Sequence, residues 1–227
     1  MSDKGTHFRG FATRTLDVTV AGDAYRLLAP ASSDELLDSP DVQSRFEEDE
    51  YMPYWADLWP TARLLAQRIA RSEPGDGRRL LEIGCGLGLC GIVAARHGYA
   101  VVASDYDEDA VAFAAENARR HDVNLETSVV DWRTTRLEPP FDLVLGSDLL
   151  YERRNHEPVA AFVAAHLAPG GEAWIGDSFR PIADDAGAAF EKVGLVLTID
   201  EEDGESMEGE PKRIRVLRLR HRTSGAS

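Results

Sequence analysis

The chain has 227 residues, of which 43% are hydrophobic and four are tryptophan. This composition excludes a disordered chain and leaves room for one α/β domain rather than two. The formal net charge of −15, from 40 acidic and 25 basic residues, makes nucleic acid a poor partner, because its phosphate backbone would be repelled. We expect a basic protein or a cationic small molecule instead, although such acidity can equally serve solubility alone.

The cysteines and the hydropathy pattern bear on location. Cys85 and Cys90 lie five residues apart in one glycine-rich turn and predict no disulfide framework. The sequence has no N-terminal signal pattern and no apolar run approaching about 18 residues. We therefore expect a soluble, cytoplasmic protein that does not contact a membrane. We take it to be a monomer, and we assign no metal ligands.

The predicted elements begin with an N-terminal extension, residues 1–50. Alternating segments at 15–20 and 24–28, around Ala21-Gly22-Asp23, predict a β-hairpin. The acid-rich stretch 31–50 that follows is a loop, a short helix or a cover over a site. Residues 51–221 form the main predicted domain, and residues 222–227 are expected to be a disordered tail.

Strands and helices alternate in the main domain. Pro60 opens a helix that ends before the Pro-Gly-Asp-Gly run at 74–77. Continuous apolar strands separated by amphipathic helices predict a parallel sheet covered on both faces. The last two strands have only an acidic loop, 200–210, between them, and should pair antiparallel or form an edge. The predicted strands are 79–83, 100–104, 125–130, 141–146, 172–176, 195–199 and 213–220, and the later helices are 89–97, 108–121, 158–167 and 182–193.

The first chemical signal is a glycine-rich turn after the first strand of the main domain. Gly84, Gly86 and Gly88 let the backbone approach a ligand closely. A dinucleotide fingerprint fails, because Leu89 occupies the position of its last glycine. Glu82 would oppose a pyrophosphate but suits the ammonium group of an amino acid, which favours S-adenosylmethionine over NAD. The alternative is a tight turn that binds no ligand.

Candidate nucleoside contacts follow the next two strands. Asp105, about twenty residues after the glycine turn, suits a carboxylate that accepts hydrogen bonds from both ribose hydroxyls. Its neighbour Tyr106 is included in the same site, whereas Asp107 looks like a helix N-cap. Asp131 and Trp132 offer adenine a flat apolar face and a polar group for its amine. Core packing is the alternative for Trp132.

A second motif follows the strand 141–146. Ser147 stands directly after this strand, and Asp148 and Tyr151 are three residues apart, so one helical turn would put both on one side of a pocket. A carboxylate and a phenol there could hold an incoming nucleophile. The alternative is a helix cap by Asp148 with a packed Tyr151. His156 is either a proton acceptor or a surface residue.

Together these motifs resemble those of the class I, seven-β-strand S-adenosylmethionine-dependent methyltransferases. The Asp-x-x-Tyr motif at 148–151 resembles that of the family 16 protein-lysine methyltransferases. The stretch 53–60, which ends in Trp59-Pro60, is similar to the Trp-Pro segment of the electron-transfer-flavoprotein β-subunit lysine methyltransferases. The resemblance runs from about residue 51 to residue 219. It implies an α/β, Rossmann-like fold whose seven-stranded, mostly parallel sheet has helices on both faces, with the N-terminal β-hairpin added to it.

The resemblance also implies S-adenosyl-L-methionine as cofactor and a lysine side chain of a protein as methyl acceptor. A small amine such as nicotinamide is the alternative acceptor, and a non-catalytic cofactor-binding scaffold is the alternative function. We expect direct displacement at the methyl carbon, with Asp148 orienting the amine and Tyr151 shaping the channel. The implied cofactor contacts are Trp59, Gly84, Asp105, Trp132 and Ser147, and the implied catalytic or substrate residues are Asp148 and Tyr151.

Overall fold

The computed structural model describes residues 7–37, 42–44, 46, 52–138, 140–206 and 209–222. Its N-terminal part is an antiparallel sheet of β1 (His7–Phe8), β2 (Phe11–Val20) and β3 (Asp23–Pro30). Ala21 and Gly22 turn the chain between β2 and β3 with positive φ, so the predicted hairpin is confirmed, with β1 as an additional strand. A short helix, α1 (Asp34–Leu37), follows. Most of the remaining acidic stretch, and the predicted tail from residue 223, lie outside the described residues.

The main sheet consists of β4 (Arg79–Ile83), β5 (Ala100–Asp105), β6 (Glu126–Val129), β7 (Phe141–Ser147), β8 (Leu167–Asp177), β9 (Leu195–Glu205) and β10 (Pro211–His221). These seven strands lie in the order β6-β5-β4-β7-β8-β10-β9. The strands from β6 to β8 run parallel, whereas β10 is antiparallel to both β8 and β9. The predicted Rossmann-like sheet and its antiparallel final pair are therefore confirmed.

Helices cover both faces of this sheet. Adjacent residues of β4 point to opposite faces, so Leu80 belongs to one hydrophobic cluster and Leu81 to another. The helices are α2 (Pro60–Arg71), α3 (Leu89–Arg96), α4 (Glu108–Arg120), α5 (Arg153–His166) and α6 (Ala186–Lys192), with 3-10 turns at Tyr54–Ala56 and Pro181–Asp185. The first cluster joins the N-terminal sheet to α2, α3 and α4, and the second includes residues of α5 and α6. In the described ranges, no helix is long and apolar enough to cross a membrane.

Helix α5 begins five residues before the predicted start at Pro158, which lies inside it. A proline in a helix interior removes one backbone hydrogen bond, which is why the sequence favoured the later start. Two side chains of the first turns compensate by bonding backbone carbonyls of the preceding turn: Asn155 Nδ2 donates to Leu149 O at 3.3 Å, and His156 Nε2 lies 3.3 Å from Leu150 O. Side-chain hydrogen bonds to the turn before the helix therefore hold its start, although Pro158 lies inside it.

The predicted acidic loop 200–210 was wrong over its first half, because β9 continues to Glu205. Each residue of this part pairs with β10, and Glu205 lies opposite Pro211. Arg68 of α2 partly neutralises this acidic segment, because it pairs with Asp200 at 2.6 Å and with Glu202. The sequence pattern did not reveal this contact. The predicted helix 182–193 is likewise divided into the 3-10 turn and α6.

Asn117 of α4 fastens the N-terminal sheet to the main domain. Its side chain is fully buried; Oδ1 accepts from Leu28 N at 2.7 Å, and Nδ2 donates to Leu28 O and to Leu87 O, both at 3.0 Å. Leu28 belongs to β3 and Leu87 to the glycine turn. One side chain therefore connects the extension, a helix and the turn. The division of the chain at residue 50 remains a prediction.

We expect Asn117→Ala to lower the free energy of unfolding by about 2 to 4 kcal/mol, because three buried hydrogen bonds disappear and the backbone groups of Leu28 stay buried without them. Urea denaturation followed by circular dichroism measures this change. Arg119→Ala, on the exposed side of the same helix, is the matched control and should change stability by less than about 0.5 kcal/mol. Equal effects of the two substitutions would contradict the role given to Asn117.

Candidate functional site

The site forms where neighbouring parallel strands end at the same level. Ile83 of β4 lies opposite Ser104 of β5 and opposite Gly146 of β7. The next residues, Asp105 and Ser147, therefore reach the same edge of the sheet, at the point between β4 and β7 where the strand order reverses. Ligands of open α/β sheets bind at such a point. A cavity of about 500 Å³ lies there.

The predicted site residues come together around this cavity, with one exception. Gly88 instead caps α3 with φ of 83°, and a Cβ on it would lie 3.0 Å from that of Ala114 in α4. Its role is therefore to let two helices approach closely. The candidate residues that line the cavity are Trp59, Glu82, Gly84, Gly86, Asp105, Tyr106, Asp131, Trp132, Ser147, Asp148 and Tyr151.

The glycine turn requires glycine for both conformation and space. Gly84 has φ of 67° and Gly86 has φ of 50°, values that L side chains rarely adopt. A Cβ on Gly84 would lie 2.6 Å from Leu149 Cδ2, and one on Gly86 would lie 3.2 Å from Trp55 O. The turn is thus fitted closely against two other segments of the cavity wall.

Glu82 is a buried carboxyl at the end of β4. Its Oε2 accepts a hydrogen bond of 2.8 Å from Gly91 N of α3, and the side chain is 4% exposed. Burial raises the pKa of Glu82 to about 8, although the Gly91 bond opposes the rise. A cation at the cavity would stabilise the ionised form of this carboxyl.

Asp105 links the end of β5 to the glycine turn. Its Oδ2 accepts from Gly86 N at 2.9 Å, and its Oδ1 accepts from Asp107 N at 3.1 Å. Burial raises the pKa of Asp105 to about 6, and these backbone bonds oppose the rise. A carboxylate has about four acceptor sites, so the backbone bonds leave capacity for a hydroxyl donor. Asp107 accepts from Asp109 N and caps α4, as predicted.

One side of the cavity carries the residues predicted to contact adenine. Burial would raise the pKa of Asp131, but hydrogen bonds from Arg133, 2.8 Å from Nε and 2.9 Å from the backbone N, lower it overall. The Arg133 guanidinium lies 5.4 Å from the ring centroid of Tyr106. Trp132 lines the cavity and also packs against the second hydrophobic cluster, so both interpretations of this tryptophan describe part of its surroundings.

At the end of β7, Asp148 adopts a left-handed conformation with φ of 53°. The predicted helical turn at 148–151 is therefore wrong: the segment is a non-helical turn, fixed by the bond from Asp148 N to Gly176 O at 2.9 Å. Asp148 and Tyr151 nevertheless both line the cavity. His156 is buried beneath this turn, so the interpretation as a surface residue is also wrong.

The Asp148 carboxyl is 8% exposed and only partly satisfied. Its Oδ1 accepts from Ser178 Oγ at 3.2 Å and lies 3.4 Å from Arg180 Nη1. Burial raises its pKa, opposed by the nearby Thr61 hydroxyl, Arg180 and Ser178. In the described part of the chain, Asp148 Oδ2 and Ser147 Oγ are buried without a hydrogen bond of normal geometry. Two buried polar atoms of residues that line the cavity are therefore left without a partner of normal geometry.

An aromatic wall faces this carboxyl. The Tyr54 ring contacts the rings of Trp59 and Tyr151 edge-on, with centroids 6.0 Å and 5.4 Å away, and Trp59 Nε1 donates to Tyr54 O at 3.0 Å. Burial raises the pKa of Tyr151, so its phenol stays protonated. These three rings and Asp148 line the same cavity.

Sequence reasoning missed Tyr54 and Arg180, which both line the cavity. Tyr54 lies inside the Trp-Pro segment that carried the resemblance. Arg180 follows the end of β8, so the reasoning about strand ends that found Asp105 and Ser147 would have found it too. Within the ranges that the structure describes, no three His, Cys, Asp or Glu side chains are grouped as a metal site.

The donor set fits S-adenosylmethionine. Two of the cavity's carboxyls, Glu82 and Asp105, suit an ammonium group and a ribose diol, and Trp132 and Tyr106 offer aromatic surface to a base. The unpaired Ser147 Oγ is a further acceptor or donor. The structure therefore has polar groups that this cofactor would satisfy.

Comparison with known proteins agrees with this chemistry. A methyltransferase-domain family model matches residues 80–171. The human histone-arginine methyltransferase METTL23 is 32% identical over 130 residues, which cover 52% of this chain and 67% of the human protein. The electron transfer flavoprotein β-subunit lysine methyltransferase of Danio rerio is 32% identical over 102 residues, 44% of this chain and 40% of that protein.

These matches are partial, since the aligned part spans 49% to 67% of the three METTL23 proteins. Among solved structures, a TehB-like SAM-dependent methyltransferase from Corynebacterium glutamicum superposes with a TM-score of 0.56 at 21% identity, covering 84% of this chain and 98% of that one. At this identity the superposition establishes the fold alone.

We expect Asp105→Ala to weaken binding of S-adenosylhomocysteine by about tenfold or more, or about 1.4 kcal/mol, because the substitution removes the diol acceptor and the bond to Gly86 N. Isothermal titration calorimetry measures the affinity. Asp17→Ala, an exposed aspartate of the N-terminal sheet, is the control. A well-folded wild-type protein without affinity for this ligand would refute the site assignment.

Glu82 should make cofactor binding pH-dependent. Its pKa of about 8 leaves it largely protonated at neutral pH, and a bound ammonium group would favour ionisation, so binding should release a proton. We expect the affinity for S-adenosylhomocysteine to rise from about pH 6.5 to pH 8.5, by up to about tenfold per unit.

Calorimetry in buffers of different ionisation enthalpy measures this proton release, and Glu82→Gln should abolish the part of it above about pH 7. Asp105, with a pKa of about 6, accounts for the dependence at lower pH. An unchanged slope in Glu82→Gln would remove Glu82 from the ammonium site.

Proposed function

Because the chain belongs to the class I S-adenosylmethionine-dependent methyltransferases, we propose that it methylates the side-chain amine of a lysine residue in a protein. The observation that best supports this proposal is that the buried carboxyl of Asp148 and the rings of Tyr54, Trp59 and Tyr151 line the same cavity as the proposed cofactor residues. A carboxylate beside aromatic rings is suited to an alkyl-ammonium group.

We assign the cofactor contacts by chemistry. Asp105 would bind the ribose hydroxyls, while Trp132 and Tyr106 would hold the adenine ring and Asp131 would meet its amine. Glu82 and Ser147 would bind the amino-acid end, next to the backbone of Gly84 and Gly86, and Trp59 would contact the adenosyl part. Gly88 would contribute only by shaping the turn, since it lies at the α3–α4 contact.

When bound, the cofactor supplies a methyl group on a sulfonium that is already a good leaving group. The chain's own residues therefore have to align the amine and exclude water. Asp148 would bind and orient the amine through a hydrogen bond, and the rings of Tyr54, Trp59 and Tyr151 would enclose its alkyl stem. The Tyr151 phenol, whose pKa is raised by burial, would shape this part of the cavity without acting as a base.

The amine must lose its proton before it can react. A lysine amine has a reference pKa of about 10.4. Asp148 opposes deprotonation, since a carboxylate favours the ammonium form, whereas burial among the aromatic rings favours the neutral amine. Asp148 is accordingly proposed as a binding and orienting group, and no residue is assigned as the general base.

The relatives support a nitrogen of a protein as acceptor. Their names specify histone arginine, a lysine of the electron transfer flavoprotein β-subunit, the N-terminus of cypemycin and ribosomal protein L11. The net charge of −15 also favours a basic protein. The cytoplasm is the proposed compartment, because Cys85 and Cys90 are both free thiols. A small amine is the alternative acceptor, and a scaffold without catalysis is the alternative function.

We expect Asp148→Asn to lower methyl transfer by at least about 100-fold and to leave the affinity for S-adenosylhomocysteine within about threefold of the wild type. Asparagine keeps the size of the side chain and tolerates the left-handed backbone at this position. Transfer of labelled methyl groups to histones, ribosomal protein L11 and free alkylamines, followed by amino-acid analysis, measures rate and product.

Methyl-lysine as product supports the proposal, and methyl-arginine or a methylated small amine would replace its acceptor. Full activity in Asp148→Asn would remove Asp148 from the acceptor site. Cofactor binding without transfer to any of these acceptors would favour the scaffold. Asp17→Asn is again the matched control, since this aspartate is exposed and distant from the cavity.

A further inference from the structure

The Arg180 side chain lies in the cavity, between the two groups expected to recognise a cationic acceptor. Its Nη1 is 3.4 Å from Asp148 Oδ1, and its guanidinium carbon is 5.6 Å from the ring centroid of Trp59. An alkyl-ammonium group binds favourably between a carboxylate and an aromatic face. A cation of the protein therefore stands where a cation of the substrate would bind.

Hydrogen bonds hold the backbone of Arg180 at both its N–H and its carbonyl group. Arg180 N donates to Asp177 Oδ2 at 3.0 Å, and Arg180 O accepts from Arg215 Nη2 at 2.9 Å. Arg215 is itself buried and bonds Asp177 Oδ2 at 2.9 Å, and it also pairs with Asp184. These contacts fix where the side chain starts, and none of them involves the Arg180 guanidinium.

The pairing of Arg180 with Asp148 is incomplete. Its 3.4 Å separation is longer than a charge-assisted hydrogen bond of about 2.7 to 2.9 Å. Asp148 Oδ2 is buried and has no hydrogen bond of normal geometry within the described ranges. The whole Asp148 side chain is 8% exposed. The Arg180 side chain is 29% exposed, so it can move into solvent. A compact ammonium group with three donors would satisfy Asp148 better than this guanidinium does.

We propose that the Arg180 side chain occupies the acceptor subsite until a cationic acceptor displaces it, so that it acts as an internal competitor that sets acceptor affinity. The proposal rests on the proposed function, in which Asp148 receives a cationic amine. If the displaced rotamer makes up a tenth of the molecules, the apparent affinity for the acceptor is about tenfold weaker than the intrinsic affinity.

Arg180 also affects the charge state of Asp148 when no acceptor is bound. Without Arg180, the buried Asp148 carboxyl would lose its nearest cation, and its pKa would rise further above the ordinary range, since Arg180 is one of the groups that oppose the rise. Arg180 thus favours the ionised form of the carboxyl, which is the form that binds an ammonium group. Acceptors that cannot replace this charge would leave Arg180 in place, which makes the residue a determinant of specificity.

The test compares wild type, Arg180→Gln and Arg180→Lys, each saturated with S-adenosylhomocysteine, whose binding also shows that the variant is folded. Butylamine, a mimic of the lysine side chain, is titrated by ligand-observed NMR at about pH 8.5, where it is protonated. We expect Arg180→Gln to bind butylammonium about tenfold more tightly, and Arg180→Lys, which keeps the charge, to remain close to the wild type.

Butyrate and Asp148→Asn separate the other outcomes. Equal butylammonium affinity in wild type and Arg180→Gln, lost in Asp148→Asn, would overturn the competitor while preserving the amine site. Butyrate binding to the wild type that disappears in Arg180→Gln would show that Arg180 recruits an anionic acceptor, against the proposal. No butylammonium binding to any of the proteins, despite S-adenosylhomocysteine binding, would overturn the proposed acceptor class and the competitor together.

Discussion

The common level at which β4, β5 and β7 end is the constraint on which the site depends. Ile83, Ser104 and Gly146 lie in register. The residues that follow them therefore meet at one edge of the sheet because of strand pairing alone. This register is enforced by the core: Leu80 and Leu81 of β4 belong to hydrophobic clusters on opposite faces, and a slip of one residue would exchange them. Hydrophobic packing on two faces of a sheet thereby fixes the positions of polar side chains at its end.

Those buried polar side chains lower the stability of the protein when no ligand is bound. Burial raises the pKa values of Glu82, Asp105 and Asp148, which means that three neighbouring carboxyls are desolvated beyond what their hydrogen bonds offset. A sequence selected only for stability would replace some of them with apolar residues. Their presence is explained if ligands supply the missing partners, namely an ammonium group, a ribose diol and an acceptor amine. The folded state then gains stability when these ligands bind.

The sequence predicted the fold and most of the site because both depend on local signals. Apolar strands, amphipathic helices and strand-end residues such as Asp105 and Ser147 can be read from short segments. What it missed depends on particular side-chain and backbone contacts that propensity and periodicity do not show, some of them between distant segments. The early start of α5 needs Asn155 and His156 to bond carbonyls of the preceding turn, and the length of β9 needs Arg68 from α2. The conformation of Asp148, which is left-handed instead of helical, follows from its bond to β8.

The N-terminal extension is coupled to the site by the same kind of distant contact. Asn117 donates one hydrogen bond to Leu28 of the extension and another to Leu87, whose neighbours Gly86 and Gly88 both have positive φ. Gly86 in turn is held by Asp105. A series of hydrogen bonds therefore runs from β3 through α4 and the glycine turn to the proposed ribose site. Because the glycine turn cannot shift without breaking these bonds, the extension supports the cofactor end of the cavity. The extension also reaches the acceptor end, since Phe11 of β2 packs against Trp55 of the 52–62 segment with ring centroids 6.1 Å apart.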